Sequence, residues 1–238
     1  MSAARYAVYF APAADSPFWR FGCAWLGRDP ETGETLERPR LVGQAADDWD
    51  AAALDGLLAS PAGYGFHATL KPPFRLASGK TAEELADAVE RFAATERGFV
   101  CPDVDVAAVG RFIAFRLAAD APEMNKLAET AVARFDEFRA PATAAELEKR
   151  RAAGLTDRQD ALLQAWGYPY IFEEFRFHMT LTGSIADAGK RDRLAQSLKR
   201  MAADAGANGP MRAEGVALYE QPAAGAPFRL LRRFPFGG

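Results

Sequence analysis

The chain has little of what several functional classes require. Among its 238 residues are only two cysteines, Cys23 and Cys101, far apart and in no metal-type spacing. That is too few for a disulfide scaffold, and it reads as a pair of buried, reduced thiols. Histidine is equally scarce, with two residues, His67 and His178. A typical zinc shell is therefore not supplied and no metal is expected, although a set of two His and one carboxylate stays formally open. No apolar run approaches the length of a membrane span, and the N-terminal stretch MSAARYAVYFAPAAD lacks a signal-type apolar core. The expectation is a cytoplasmic protein with no membrane partner. Basic excess is missing too: 29 Lys+Arg against 32 Asp+Glu give a formal net charge of -3, which argues against an extended nucleic-acid surface. A G-x-S-x-G element, a P-loop and a dinucleotide fingerprint are all absent, so nothing in the chain calls for a nucleophilic serine or a cofactor.

What is present is enough apolar sequence for a sizeable core, 49% of residues. Arg5–Phe10 reads as a strand, and Asp15-Ser16-Pro17 opens a helix to about Trp25. Residues 27–47 read as a loop, with a helix near 49–58 and a strand from Phe66 stopped by Pro72-Pro73. Thr81-x-x-Glu84, Thr143-x-x-Glu146 and Thr156-x-x-Gln159 are capping boxes. The last two make 141–166 a short helical insertion broken at Gly154. Strands are expected at 103–109, 112–117 and 173–182, helices at 122–138 and 187–204, and closing strands near 211–219 and 228–234. The order strand, helix, strand with histidine, helix, strand occurs twice at a lag of roughly 110 residues, which suggests an internal duplication. It divides the chain into lobes at 1–110 and 111–238.

The histidines lie in Phe66-His67-Ala68-Thr69-Leu70 and Phe177-His178-Met179-Thr180-Leu181, so both match Phe-His-x-Thr-Leu. Side chains alternate along a strand. His67, Thr69 and Lys71 therefore share one face, and Arg176, His178, Thr180 and Thr182 share the corresponding one, while Phe and Leu face a core. A near-symmetric duplication would set the two polar faces opposite one another. Two imidazoles titrating near neutrality can then act as base toward water and acid toward a leaving oxygen, with hydroxyls donating to non-bridging phosphate oxygens.

On these residues the chain resembles the two-histidine (2H) phosphoesterase superfamily. The resemblance implies an α+β, duplicated bilobed fold: two antiparallel β-sheets with helices outside and a central groove. It carries His67 and His178 over as acid and base, without saying which is which, and Thr69 and Thr180 as phosphate ligands. The stretch Trp166–Thr182, with Phe66-His-Ala-Thr-Leu-Lys-Pro-Pro-Phe74, is similar to a subfamily of uncharacterised proteins associated with bacterial phosphonate metabolism. The insertion at 141–166 departs from small relatives.

Flanking residues carry two readings each. Lys71, Arg176 and Thr182 share the histidine faces by parity and would bind substrate phosphate, or Lys71 and Arg176 would be rim charges, Arg176 pairing with Glu174. Tyr168 and Tyr170 would stack on a base or ribose, or anchor the core. The run Glu148-Lys-Arg-Arg151 reads as a solvated helix face, and the insertion either walls the groove or packs on outer helices. The function expected is metal-independent hydrolysis of a small, cyclic phosphodiester. The competing classes are an RNA-end-processing or RNA-binding protein and a non-catalytic phosphoester-binding module.

Overall fold

The computed structural model describes residues 4–238. Local signals fix most element ends. β1 (Arg5–Phe10) is followed by α1 (Pro17–Leu26), whose start is capped by the Ser16 hydroxyl and whose end is Gly27 at φ +74°. A short α2 (Gln44–Asp48) leads to α3 (Ala51–Tyr64), which Asp50 caps and Gly65 ends. β2 (Ala68–Phe74) precedes α4 (Ala82–Thr95), opened by the Thr81/Glu84 capping box. β3 (Phe99–Val109) and β4 (Phe112–Leu117) form a hairpin around Gly110, φ +57°, and Arg111. After α5 (Pro122–Arg134) come α6 (Ala144–Arg151) and α7 (Asp157–Trp166), both opened by the expected capping boxes. The chain closes with β5 (His178–Thr180), α8 (Ala188–Asp204), β6 (Gly209–Ala213), β7 (Gly215–Gln221) and β8 (Arg229–Pro235). Among the described residues no helix is long and apolar enough to cross a membrane.

All these strands pair antiparallel in one sheet of order β6-β3-β4-β5-β2-β1-β7-β8. Read outward from the middle, both sides repeat one pattern: a histidine strand (β5 or β2), the first strand of each repeat (β4 or β1), then β3 or β7, then an edge. The α+β class therefore holds, and the two expected sheets are two four-stranded halves joined by the single pairing Ala68↔Met179. The partition is not the cut at residue 110. That cut falls in the β3–β4 hairpin, whose strands lie in the same half, while β7 and β8 return to pair beside β1. β6 is an edge strand and β7 lies near the opposite edge, yet only Glu214 separates them in sequence. Two Cα steps span at most roughly 7 Å, so the sheet curls until its ends meet.

Three strand expectations change. The run 211–219 is two strands, because the chain leaves β3 for β1 at Glu214. β2 continues through Pro72-Pro73 to Phe74. The missing N–H groups are tolerated because β5 pairs with β2 only at Ala68 and the ladder to β1 shifts register on both sides of Val8. The run 173–182 yields only β5; Phe172, at φ +54°, enters a 3-10 turn at Phe172–Glu174 instead.

The apolar sides of both histidine strands enter the core as expected: Phe66, Ala68, Leu70, Phe177, Met179 and Leu181 are all buried. α1 covers them. Phe18, Phe21 and Phe66 stand edge-on to Phe115, and the Trp25 indole N–H donates to the Leu181 carbonyl at 2.9 Å. Helix and strand touch at Gly22, where a Cβ would lie 2.4 Å from the Phe66 ring.

Gly22→Ala tests this contact. Helix propensity alone predicts a gain of about 1 kcal/mol. The clash should instead cost about 1–3 kcal/mol, read as a lower midpoint in denaturant unfolding; a gain would remove Gly22 from the support of the histidine strand.

Candidate active site

The histidine side chains are set by the sheet junction. Ala68 pairs with Met179, so the antiparallel register puts His67 across from Thr180 and Thr69 across from His178. Residues flanking one pair point to the same face, and all of them line one cleft of about 320 Å³.

Each imidazole is oriented by the backbone two residues before it. His67 Nδ1 lies 2.8 Å from the Gly65 carbonyl, and His178 Nδ1 lies 2.8 Å from the Arg176 carbonyl. A carbonyl only accepts, so Nδ1–H donates in both rings and Nε2 is left as the reactive atom. Thr69 Oγ1 sits 3.2 Å from His67 Nε2 and can donate to it. The His67 ring also stacks on Tyr9, centroids 3.7 Å apart and planes at 15°. His178 has the Phe112 ring at 5.5 Å. Burial among these rings disfavours charge on the imidazoles. It pulls His67 down to about 4, against the pull of the Gly65 carbonyl and with a smaller push from His178. His178 is lowered by burial too, opposed by the Arg176 carbonyl.

The other expected ligands divide. Thr182 lines the cleft, but it is buried and its hydroxyl donates to the Gly183 carbonyl at 2.9 Å while accepting from Ile113 N–H. Lys71 is not in the cleft. Its partner changes from Thr69↔Tyr9 to Lys71↔Val8, so the register shift at Leu70 breaks the alternation that parity assumed. The side chain is 1% exposed, and its ammonium donates to Asp136 at 2.6 Å and to the Val132 carbonyl at 3.1 Å. Arg176 also leaves the site. It precedes β5, and its guanidinium donates to the Glu173 and Phe175 carbonyls, not to Glu174. Tyr168 lines the cleft, whereas Tyr170 is exposed and lines a neighbouring recess.

Sequence reasoning missed Tyr9, Tyr64, Phe112 and Arg150, which also line the cleft. Tyr9 follows the alternation of β1 and could have been found from the pairing of β1 with β2. Arg150 sits in the run read as a solvated face. Its neighbour Arg151 turns away to Asp160 at 2.7 Å, while Arg150 lies 4.7 Å over the Tyr168 ring. The insertion thus contributes Arg150 to one wall of the cleft, and Tyr168, just beyond its end, adds to the same wall. Among the described residues no group of three or more His, Cys, Asp or Glu is disposed to hold a metal ion.

A family model described as "Protein of unknown function (DUF1045)" matches residues 69–229. Two curated relatives carry the name ribose 1,5-bisphosphate phosphokinase PhnN. That of Janthinobacterium sp. (strain Marseille) is 40% identical over 239 residues, covering 100% of this chain and 52% of the relative. That of Laribacter hongkongensis (strain HLHK9) is 36% identical, covering 96% and 51%. The chain spans about half the length of both. Among solved structures, TT0787 of Thermus thermophilus is similar with TM-score 0.46 and 16% identity over 98% of both chains. E. coli LigT complexed with 3'-AMP is similar with TM-score 0.43 and 14% identity over 99% of both chains.

The displaced lysine yields a prediction. Burial pulls the Lys71 ammonium down and Asp136 offsets part of that, while Arg139 and Lys71 hold the Asp136 carboxyl low against its own burial. Lys71→Met removes a buried charge with its pairing cost and should change stability by less than about 1 kcal/mol. Asp136→Ala strands the charge and should cost about 3 kcal/mol. Denaturant unfolding of both variants checks the asymmetry.

Proposed function

We propose, for a chain that belongs to the DUF1045 family, that it is a metal-independent phosphoesterase hydrolysing a small cyclic phosphodiester by acid–base catalysis between His67 and His178. The observation that carries the reading is the pairing of the two motifs: two imidazoles with Nε2 as the working atom and the hydroxyls of Thr69 and Thr180, all on one cleft.

The reaction follows from the protonation states. His67, held near 4 by burial, is neutral at pH 7, and its Nε2 lone pair can take a proton from water. The oxygen of that water forms a bond to phosphorus, the ester P–O bond opens, and the leaving oxygen takes the proton from His178 Nε2. The product is a phosphomonoester with a free hydroxyl. His178 must be charged to give that proton. A bound phosphate supplies the negative charge that raises its affinity for one. Thr69 and Thr180 donate to the non-bridging oxygens as charge builds on them.

The names of the two curated relatives, of which this chain spans about half, support a sugar phosphate as the substrate class. A ribose cyclic phosphodiester that includes the C1 oxygen leaves a C1 phosphomonoester when its other ester P–O bond opens, and a C1 phosphomonoester is the group that ribose 1,5-bisphosphate carries. On the subfamily resemblance of its motifs we assign the reaction to phosphonate metabolism.

His67→Gln and His178→Gln should each lower kcat/KM on a ribose cyclic phosphate by about 10²–10⁴ without changing the unfolding midpoint by more than a few degrees. Near wild-type turnover by either variant would overturn the assignment. Activity should survive a chelator; loss restored by zinc would count against the metal-independent reading.

The pH profile provides a separate check. The base must be neutral and the acid charged, so kcat/KM rises through the His67 value near 4 and falls through that of His178, which burial sets below 6.5. The maximum is expected between these limits. A kcat/KM maximum well above neutrality would contradict the assigned roles.

A further inference from the structure

The cleft does not end at the histidines. Tyr64, Pro73 and Arg150 line it and also line a second recess of about 370 Å³ between the insertion and the ends of β1 and β2. That recess is cationic, with Arg5, Arg75, Arg139, Lys149 and Arg150 around the single carboxylate Glu146. Glu146 is held by Arg75 at 3.0 Å, and Arg139 is taken up by Asp136 at 2.8 Å. Among the described residues, no carboxylate lies within 4.0 Å of Arg5, Lys149 or Arg150. Arg150 rests instead on the Tyr168 ring at 4.7 Å. Such a guanidinium is poised for an anion with two acceptor oxygens.

A second observation is independent of these charges. Tyr9 is 0% exposed and lines the histidine cleft, and its hydroxyl is buried without a hydrogen-bond partner. A buried hydroxyl left unpaired is costly and rare, and at the wall of a binding cleft a ligand is its natural partner. The cations expected beside the histidines, Lys71 and Arg176, are by contrast engaged elsewhere.

We propose that Arg150, the Tyr9 hydroxyl and the basic recess beyond them form a second anion subsite, which takes a phosphomonoester borne by the same substrate molecule as the scissile diester. The proposal rests on the phosphoesterase reading and specifies its substrate class as a cyclic phosphodiester with a further terminal phosphate. A diester carries one negative charge and is served by hydroxyls and imidazoles. A monoester carries nearly two, and the guanidinium groups lining the recess suit it.

The test uses two pairs of probes. The first pair is adenosine 2′,3′-cyclic phosphate with and without a 5′-phosphate, followed by steady-state hydrolysis. Wild type should favour the phosphorylated probe by about tenfold or more in kcat/KM, the size expected of a charged hydrogen bond. Arg150→Gln should abolish that preference, chiefly by raising KM for the phosphorylated probe about tenfold or more. Arg151→Gln, which removes the same charge from the Asp160 pair, should preserve the preference, and Arg150→Lys should recover part of it. Equal turnover of both probes by wild type, or a preference that survives Arg150→Gln, would overturn the subsite. An RNA oligomer ending in a cyclic phosphate and preferred over both probes would overturn it as well.

The second pair separates this from failure of the underlying reaction. Adenosine 2′,5′-bisphosphate and adenosine 2′-monophosphate are titrated calorimetrically into the whole protein. Tighter binding of the bisphosphate, lost in Arg150→Gln, supports the subsite even where neither cyclic probe is hydrolysed, an outcome that would sink the phosphoesterase alone. Equal binding of the two sinks the subsite whatever the turnover.

Discussion

Ala68 and Met179 pair where the two halves of the sheet meet, and this is the only ladder position joining β2 to β5. A single antiparallel pair fixes four side chains at once. It sets each histidine across from the other motif's threonine and sends Phe66, Leu70, Phe177 and Leu181 into the core. Beyond it β2 and β5 make no further ladder pairs with each other, which leaves the polar side open as a cleft. The junction is short, so its geometry is supported from behind. α1 lies against Phe66 and Phe115 and ties Leu181 through Trp25. The cleft is therefore as rigid as a core interface on one side and solvent-accessible on the other.

The same burial that stabilises this arrangement sets its chemistry. Stacking His67 on Tyr9 removes water from the imidazole, and the charged form loses more than the neutral one. The backbone carbonyls at Gly65 and Arg176 fix the tautomer in both rings by identical local geometry. Packing, tautomer and proton affinity are thus consequences of one local fold, repeated.

Much of this was legible in the sequence, and what was not has physical reasons. The matched Phe-His-x-Thr-Leu runs identified the histidine strands because burial on one face and chemistry on the other impose a two-residue period over a short span. The capping boxes marked helix starts because they are local hydrogen bonds. Parity failed at Lys71, one residue beyond a register shift that depends on β1 and not on the residues of β2. It failed at Arg176 because that residue precedes β5 and its guanidinium is held by the Glu173 and Phe175 carbonyls. Arg150 could not be told from Lys149 or Arg151 in a run of charge, since a difference of about 100° around a helix acquires meaning only when neighbours are placed. The split of 211–219 at Glu214 needed the partner strands, which lie about a hundred residues or more away.

That crossing at Glu214 has a consequence for how the chain comes into being. β1 has β7 as one of its two partners, and β7 begins only at Gly215, far along the chain from Phe10. At ribosomal speeds of roughly 5–20 residues per second, the N-terminal strand waits on the order of ten seconds or more with one edge bare. The reciprocal exchange of strands means that neither half completes its sheet without the other. A growing chain therefore carries the aromatic-rich edge of β1 open until β7 has emerged, and a chain cut before Gly215 never closes it.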